Sequence, residues 1–289
     1  MTWETEQTNK TTATIRIKAE FNQQWEQWVL ASSDRHFDNP KSNINMQKRH
    51  LDMARERDAF VIDCGDCFCA MQGKYDPRGR KGDIKDENNQ PDYLDTLIDS
   101  GEKLFKPYAD LFAILGTGNH ESAILKRLET DLTKRLVKRL HDNGSKVLQG
   151  GYRGWIRLLF FGSGKDNYNQ SFNIYYNHGS NSNAPVTKGI LKTSRRGLVF
   201  PDADILLTGH IHEAWAFPIY RSRLSSFGAE YTDKQMHIQL PTYKEEFQNE
   251  VGGYHHENER PPKPIGAWWL RFFYERATKK IKFEATQAE

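Results

Sequence analysis

Eight residues in five short clusters have the types and spacing to hold divalent cations and move a proton. The clusters are Asp34-Arg35-His36, Gly65-Asp66, Gly118-Asn119-His120-Glu121, Asn177-His178-Gly179 and Gly209-His210-Ile211-His212. Imidazole with carboxylate and amide oxygen suits Mn, Fe, Zn or similar divalent ions and not a thiolate site. Without His120, seven donors remain, more than one tetrahedral ion uses. Two ions roughly 3.5–4 Å apart with a shared carboxylate use them all and clamp both the attacking and the leaving oxygen of a phosphoryl transfer. On extended backbone, Asp-x-His and His-x-His turn alternate side chains to one face, so each pair is expected to reach one ion. A metal lowers the pKa of bound water, and a His beside it is the natural donor of the proton that the departing oxygen needs.

Taken singly the clusters are weak. Asp34-x-His36 is a common accident, Gly65-Asp66 is usually a turn, and Asn119 or Glu121 could simply cap a helix. Gly209-His210-Ile211-His212 behind an apolar strand is the most specific of them. The ordered set of five, each behind a strand, carries the metal-site reading.

Such a set needs strands to present it, and the chain supplies apolar runs in the right places. Trp28–Ser32, Ala59–Ile62, Leu111–Leu115, Ser171–Tyr176 and Ile205–Leu207 each precede one cluster. Short apolar runs closed by Gly and a polar residue read as buried strands whose carboxyl ends face a ligand. Helices are expected over Ile44–Arg57, Tyr93–Phe105 and, from leucines three and four apart, Ser122–His141. Further strands are expected at Trp155–Phe161, at Met236–Leu240 and in a hairpin of Ala267–Tyr274 with Lys280–Ala285. Helices alternate with strands early and strands dominate late, which implies a mixed α/β sandwich covered by helices. Residues 1–24 read as a polar arm or edge strand, and 25–289 as one domain with an insertion at 72–91.

Composition narrows the class. The chain has 289 residues, with 41 Lys plus Arg against 38 Asp plus Glu. A net charge of +3 does not by itself indicate nucleic acid or membrane. With 16 Phe, 12 Tyr and 7 Trp it is not a disordered chain. No window reaches the roughly 18 apolar residues of a membrane span. The start lacks the basic and apolar regions of a signal peptide. Cys64, Cys67 and Cys69 make no disulfide framework and read as small buried residues of a reducing compartment, so the expected location is cytoplasmic.

The ordered clusters resemble the calcineurin-like metallophosphoesterases, whose pattern is Asp-x-His, Gly-Asp, Gly-Asn-His-Asp/Glu, His and Gly-His-x-His. The resemblance spans about residues 25–215. It implies a four-layer α/β/β/α sandwich of two mixed sheets flanked by helices. It implies a first cation held by Asp34, His36, Asp66 and His212, with Asp66 bridging. A second would be completed by Asn119, His178 and His210, with His120 as proton donor. The expected cofactor is two divalent ions, Mn foremost, with Fe, Zn, Ni or Mg as alternatives. The implied activity is phosphate-ester hydrolysis by a metal-activated hydroxide.

Protein Ser/Thr phosphatases of that family continue Gly-Asp as x-Val-Asp-Arg-Gly, whereas here Cys67-Phe68-Cys69-Ala70-Met71 follows. The missing arginine lowers the case for phosphoprotein substrates. Arg78 and Arg80 in the insertion, and Lys188 and Arg195 between the last two clusters, are candidate phosphate contacts. The expectation is a phosphodiesterase or nuclease with a nucleic acid or nucleotide partner and no membrane. A phosphomonoesterase and a non-catalytic scaffold are the alternatives.

Overall fold

The computed structural model describes residues 2–72, 81–162, 169–180, 187–245, 247 and 261–288. The chain opens with β1 (Trp3–Asn9), β2 (Thr12–Ala19), β3 (Glu26–Ser32), α1 (Ile44–Glu56) and β4 (Phe60–Asp63). Then come α2 (Tyr93–Phe105), β5 (Phe112–Leu115), α3 (Asn119–Leu128), α4 (Leu132–Asp142), β6 (Leu148–Gln149), β7 (Arg153–Gly162) and β8 (Asn169–Asn177). The last part holds α5 (Ile190–Val199), β9 (Ile205–Thr208), β10 (Trp215–Leu224), β11 (Glu230–Gln239), β12 (Ala267–Glu275) and β13 (Lys280–Ala288).

Two mixed sheets result. One runs β1-β2-β7-β8-β9-β11-β10 and the other β13-β12-β3-β4-β5-β6. In the second, β3, β4, β5 and β6 are parallel and the C-terminal hairpin adds antiparallel to β3. In the first, β8, β9 and β11 are parallel. Residues 1–24 supply β1 at the sheet edge and β2 inside it, where β2 pairs parallel with β7 and buries Ile15 and Ile17.

Strand alternation builds the layers. Val29 and Ala31 of β3, Phe60 and Ile62 of β4, and Leu270 and Phe272 of β12 face the other sheet, meeting Ile156, Leu158, Ile174, Leu207 and Ile238. Leu30 and Val61, one residue out of phase, face α1, α2 and α4 through Leu51, Leu97, Phe105 and Leu136. The mixed α/β sandwich is therefore as expected. Among the described residues its fourth layer is α5 alone, set against β9 and β11 through Arg196 beside Thr208 and Gly197 beside Gln235 and His237.

The helix expected over 122–141 is two helices. Glu129 turns left-handed (φ 51°) and the Asp131 side chain accepts from Lys134 N at 2.9 Å, starting α4 afresh. The break lets Leu132, Leu136 and Leu140 enter the core while Leu125 and Leu128 stay exposed. The motif helix α3 is thereby free to aim its N-terminus independently.

Beneath α5 lies one buried ionisable group. The His237 ring of β11 stacks on Phe217 (centroids 5.2 Å apart, planes 11° apart) and sets Nε2 2.9 Å from Gln235 Oε1. Burial, with the charges of Arg196 and Arg221, pushes its pKa from 6.5 down to about 4. The unfolded chain takes up this proton at higher pH than the folded one. The stability so conferred is full above about pH 6.5 and is lost as pH falls toward 4. Urea midpoints should therefore drop more between about pH 7 and pH 5 in the native protein than in His237→Gln. Parallel pH profiles of the two proteins would contradict this.

Candidate metal centre

Five loops meet at the carboxyl ends of β3, β4, β5, β8 and β9, and backbone bonds tie them. Asp34 N donates to Gly65 O (2.9 Å), His36 N to Asp66 O (3.1 Å) and Phe37 N to Cys67 O (3.0 Å). The β4 and β5 loops touch through their glycines. A Cβ on Gly65 would lie 2.6 Å from Gly118 N, and one on Gly118 would lie 2.1 Å from Asp66 Oδ1. No larger residue fits either position.

Asp34, His36, Asp66, His210 and His212 all have left-handed backbone, with φ of 53°, 45°, 54°, 75° and 54°. The extended presentation expected of Asp-x-His and His-x-His is thus not what the chain uses. Tight turns aim these side chains, and non-glycine residues hold such conformations only where their surroundings over-determine them. The restraints are visible. Asp34 accepts from His210 N through Oδ2 (2.8 Å), and its carbonyl accepts from Tyr243 N (3.1 Å) and Thr242 Oγ1 (2.9 Å).

The structure brings all eight motif residues together. Ligating atoms of Asp34, His36 and His212 lie within 4.8 Å of one another, as do those of Asp66, His178 and His210. The resemblance assigns the first three to one cation and the second three, with Asn119, to the other. His212 Nε2 is 3.1 Å, and His36 Nε2 3.8 Å, from Asp34 Oδ1. His178 Nε2 is 3.0 Å from Asp66 Oδ2 and 3.1 Å from Asn119 Oδ1, which is also 2.6 Å from His210 Nδ1. His120 Nε2 lies 3.8 Å from Asp66 Oδ2.

The donor set fits cations. His178 donates Nδ1–H to the Cys64 carbonyl (3.1 Å), so in the neutral ring Nε2 carries a lone pair. That lone pair faces two oxygens that can only accept, a convergence a positive ion relieves. Without an ion, a proton must serve. Burial opposes the charge, yet the carboxylates of Asp66 and Asp34 push His178 up to about 10. Burial works against Asp34 and Asp66 too, but His212 and His178 hold Asp34, and His178, His120 and His36 hold Asp66, well below the usual carboxylate range. Burial and the neighbouring imidazoles push His36 and His210 down.

Two residues whose roles the sequence hid position this set. Arg35, the x of Asp-x-His, turns inward and sets Nε 2.7 Å from Asp63 Oδ2, with both side chains fully buried. Glu121 accepts from the backbone N–H of Gly118 (2.7 Å), Asp66 (3.2 Å) and Phe68 (2.8 Å). It therefore bridges the β4 and β5 loops as well as capping α3. Burial and the Asp66 charge push its acid up to about 8.

The candidate phosphate contacts fare differently. Arg78 and Arg80 lie outside the described residues. Lys188 reaches the rim, with Nζ 3.9 Å from Oε2 of Glu213, the residue after His212. Arg195 is exposed on α5 and bonds no described residue of the cluster. Its neighbour Arg196 turns under the helix to donate to Thr208 Oγ1 (2.6 Å). Cys64, Cys67 and Cys69 are buried and form no disulfide.

No family model matches the chain, nor does any curated protein. Among solved structures it is similar to a conserved uncharacterised protein of Streptococcus pneumoniae, described as a predicted phosphoesterase. Identity is 10% over 91% of this chain and 98% of that one, with a TM-score of 0.33. Vps29 from Entamoeba histolytica, complexed with zinc, gives 12% identity over 91% and 99% at a TM-score of 0.33. GAP50 of Plasmodium, described as the anchor in the inner membrane complex, gives 11% over 91% and 85% at 0.42. Overlaps this loose say nothing of activity. The resemblance to calcineurin-like metallophosphoesterases stands on this chain's own residues, extending from motif order to the placement of every motif at a strand end. No helix among the described residues is long and apolar enough to cross a membrane.

Glu121→Ala would strand three backbone donors in a buried loop junction and is expected to cost at least about 2 kcal/mol in urea unfolding. Glu121→Gln keeps the size and one acceptor oxygen and should cost less. An alanine variant as stable as the native protein would remove Glu121 from this role.

Proposed function

We propose that the chain is a dinuclear metal-dependent phosphoesterase. The observation that carries this is the convergence of two largely buried three-residue donor groups, Asp34/His36/His212 and Asp66/His178/His210, in one cluster. The first cation would be held by Asp34, His36 and His212, with Asp66 shared, and the second by Asp66, Asn119, His178 and His210. Mn is the favoured metal. When bound, two such ions supply Lewis-acid activation of water and neutralise charge on the phosphate.

The chain's own groups do the rest. His120 donates Nδ1–H to the Cys69 carbonyl (2.5 Å), which fixes the tautomer and turns Nε2 toward the cluster. Its side chain is 12% exposed, so Nε2 can carry a proton between solvent and the leaving oxygen. Asp34 and Asp66 are kept ionised by their imidazole neighbours, so the charge that attracts cations persists well into acid. Lys188 at the rim offers a cation to an incoming phosphate.

Within this class a phosphodiester substrate, nucleic acid or nucleotide, is favoured over a phosphoprotein. Where protein phosphatases of the resembled family carry their arginine, this chain has Ala70, which is fully buried and left-handed (φ 44°). No guanidinium stands there to grip a monoester dianion.

Protein purified with Mn²⁺ is expected to hydrolyse bis-p-nitrophenyl phosphate and to hold about two metal equivalents after desalting. His120→Asn should keep its metal and lose about 10²–10⁴ in kcat, whereas Asp66→Ala should lose metal as well. Equal turnover by native protein and Asp66→Ala sinks the enzyme reading. Metal uptake well below two equivalents favours a binding scaffold. Cleavage of the monoester analogue alone overturns the diester preference.

A further inference from the structure

A third group of ligating atoms stands beside the two already described. One atom each from Cys69, His36 and His120 lie within 4.8 Å of one another, with Cys69 and His36 buried and His120 half-buried. In a tetrahedral zinc site with one sulfur and two nitrogens the ligand atoms stand roughly 3.5 Å apart, so small side-chain movements close the group on an ion. It differs in kind from its neighbours, because it contains sulfur and no carboxylate.

The group is held in place by a supporting shell. Asp38, itself buried, accepts from Cys69 N (2.5 Å) and Ala70 N (2.8 Å) and so fixes the loop. Asn39 donates Nδ2–H to Cys69 Sγ at 3.3 Å, as outer partners of thiolate ligands do. Because His120 Nδ1 bonds the Cys69 carbonyl, an ion would take the other ring nitrogen, Nε2. The rings of His36 and His120 stand edge to face with centroids 4.8 Å apart. Among the described residues neither Cys64 nor Cys67 joins such a group of ligating atoms.

We propose that Cys69, His120 and His36 form a binding site for one thiophilic divalent cation of the zinc class, and that its occupancy inhibits the enzyme. The Cys69 thiol releases its proton to solvent on binding, and Cys69 Sγ, His120 Nε2 and a His36 nitrogen become ligands. Sulfur selects zinc or cadmium over manganese, so the site discriminates against the favoured catalytic metal. A cation there occupies Nε2 of His120, the atom assigned to proton delivery, and draws on His36, a donor to the first catalytic ion. Binding stands independently of the proposed function. Only the inhibition rests on it.

The test is a titration of Mn²⁺-loaded protein with Cd²⁺, followed by the sulfur-to-cadmium charge-transfer absorption, which oxygen and nitrogen sites do not give. The expected result is a band saturating at about one equivalent, absent from Cys69→Ser and retained in Cys67→Ser. His120→Gln, a second variant, should weaken the Cd²⁺ affinity by about ten-fold or more. No band with the native protein, or the same band in Cys69→Ser, overturns the site. In parallel, Zn²⁺ should inhibit hydrolysis by the Mn²⁺ form, with the half-inhibiting concentration rising about ten-fold or more in Cys69→Ser. An unchanged half-inhibiting concentration overturns the inhibition. Protein that shows the band but cleaves no phosphate ester disproves the phosphoesterase and leaves the cation site standing.

Discussion

The geometry of the cluster depends on one buried ion pair. Arg35 sits between Asp34 and His36, yet its guanidinium points away from them into a fully buried pocket. Besides Asp63 it donates to Ser32 Oγ (2.9 Å) and Gln47 Oε1 (3.3 Å), and its carbon lies 5.8, 5.6 and 5.2 Å from the rings of Phe105, Phe112 and Tyr243. A buried pair adds little net stability, because desolvation offsets its attraction. What it adds is discrimination. Any shift of the β3 loop against β4 leaves a bare charge in an apolar layer, so the loop has one acceptable position. The pair fixes the middle residue of Asp-x-His, and the left-handed turns at Asp34 and His36 then aim the flanking side chains at the cluster.

That arrangement explains how the left-handed residues are sustained. Each such conformation costs on the order of 1–3 kcal/mol outside glycine. The cost is met by bonds that exist only in that conformation, such as His210 N to Asp34 Oδ2 and His120 N to Asp66 Oδ1 (2.9 Å). The same bonds hold acceptor atoms of one sign close together before any cation arrives. The cluster is preorganised for positive charge by groups that are not ligands.

Motif order was legible in the sequence because it needs only residue types at strand ends, and apolar runs mark strand ends well. The grouping of donors into two sets followed the resemblance, not residue spacing. How the donors are aimed was not legible, since extended and left-handed turns can carry the same Asp-x-His letters. Arg35 and Glu121 were on the page but read as a spacer and a helix cap. Their second bonds cross to loops 28 and 55 residues away, which no local pattern encodes. Of the β10–β11 hairpin only the strand at Met236–Leu240 was legible, and the rest escaped for another reason. Its outer half runs past β9 with Tyr220 and Leu224 exposed, so it lacks the one-sided alternation that marks a half-buried strand.

The segment behind Asp66 shows how much a short stretch of backbone can be asked to carry. Glu121 takes the N–H groups of Asp66 and Phe68, and Asp38 takes those of Cys69 and Ala70, so two buried carboxylates from different elements hold four of five successive amides. A loop fixed from both sides can present its carbonyl, its sulfur and its carboxylate to different partners at once. Its carbonyl at Cys69 orients His120, its carboxylate at Asp66 joins the His178 group, and its sulfur stands beside His36. With a more mobile loop these three placements would vary independently, and His120 could not be held to one tautomer at one distance from Asp66. Rigidity of residues 66–70, set by the carboxylates of Glu121 and Asp38, is therefore the condition under which the proposed proton delivery and cation binding would share a single wall.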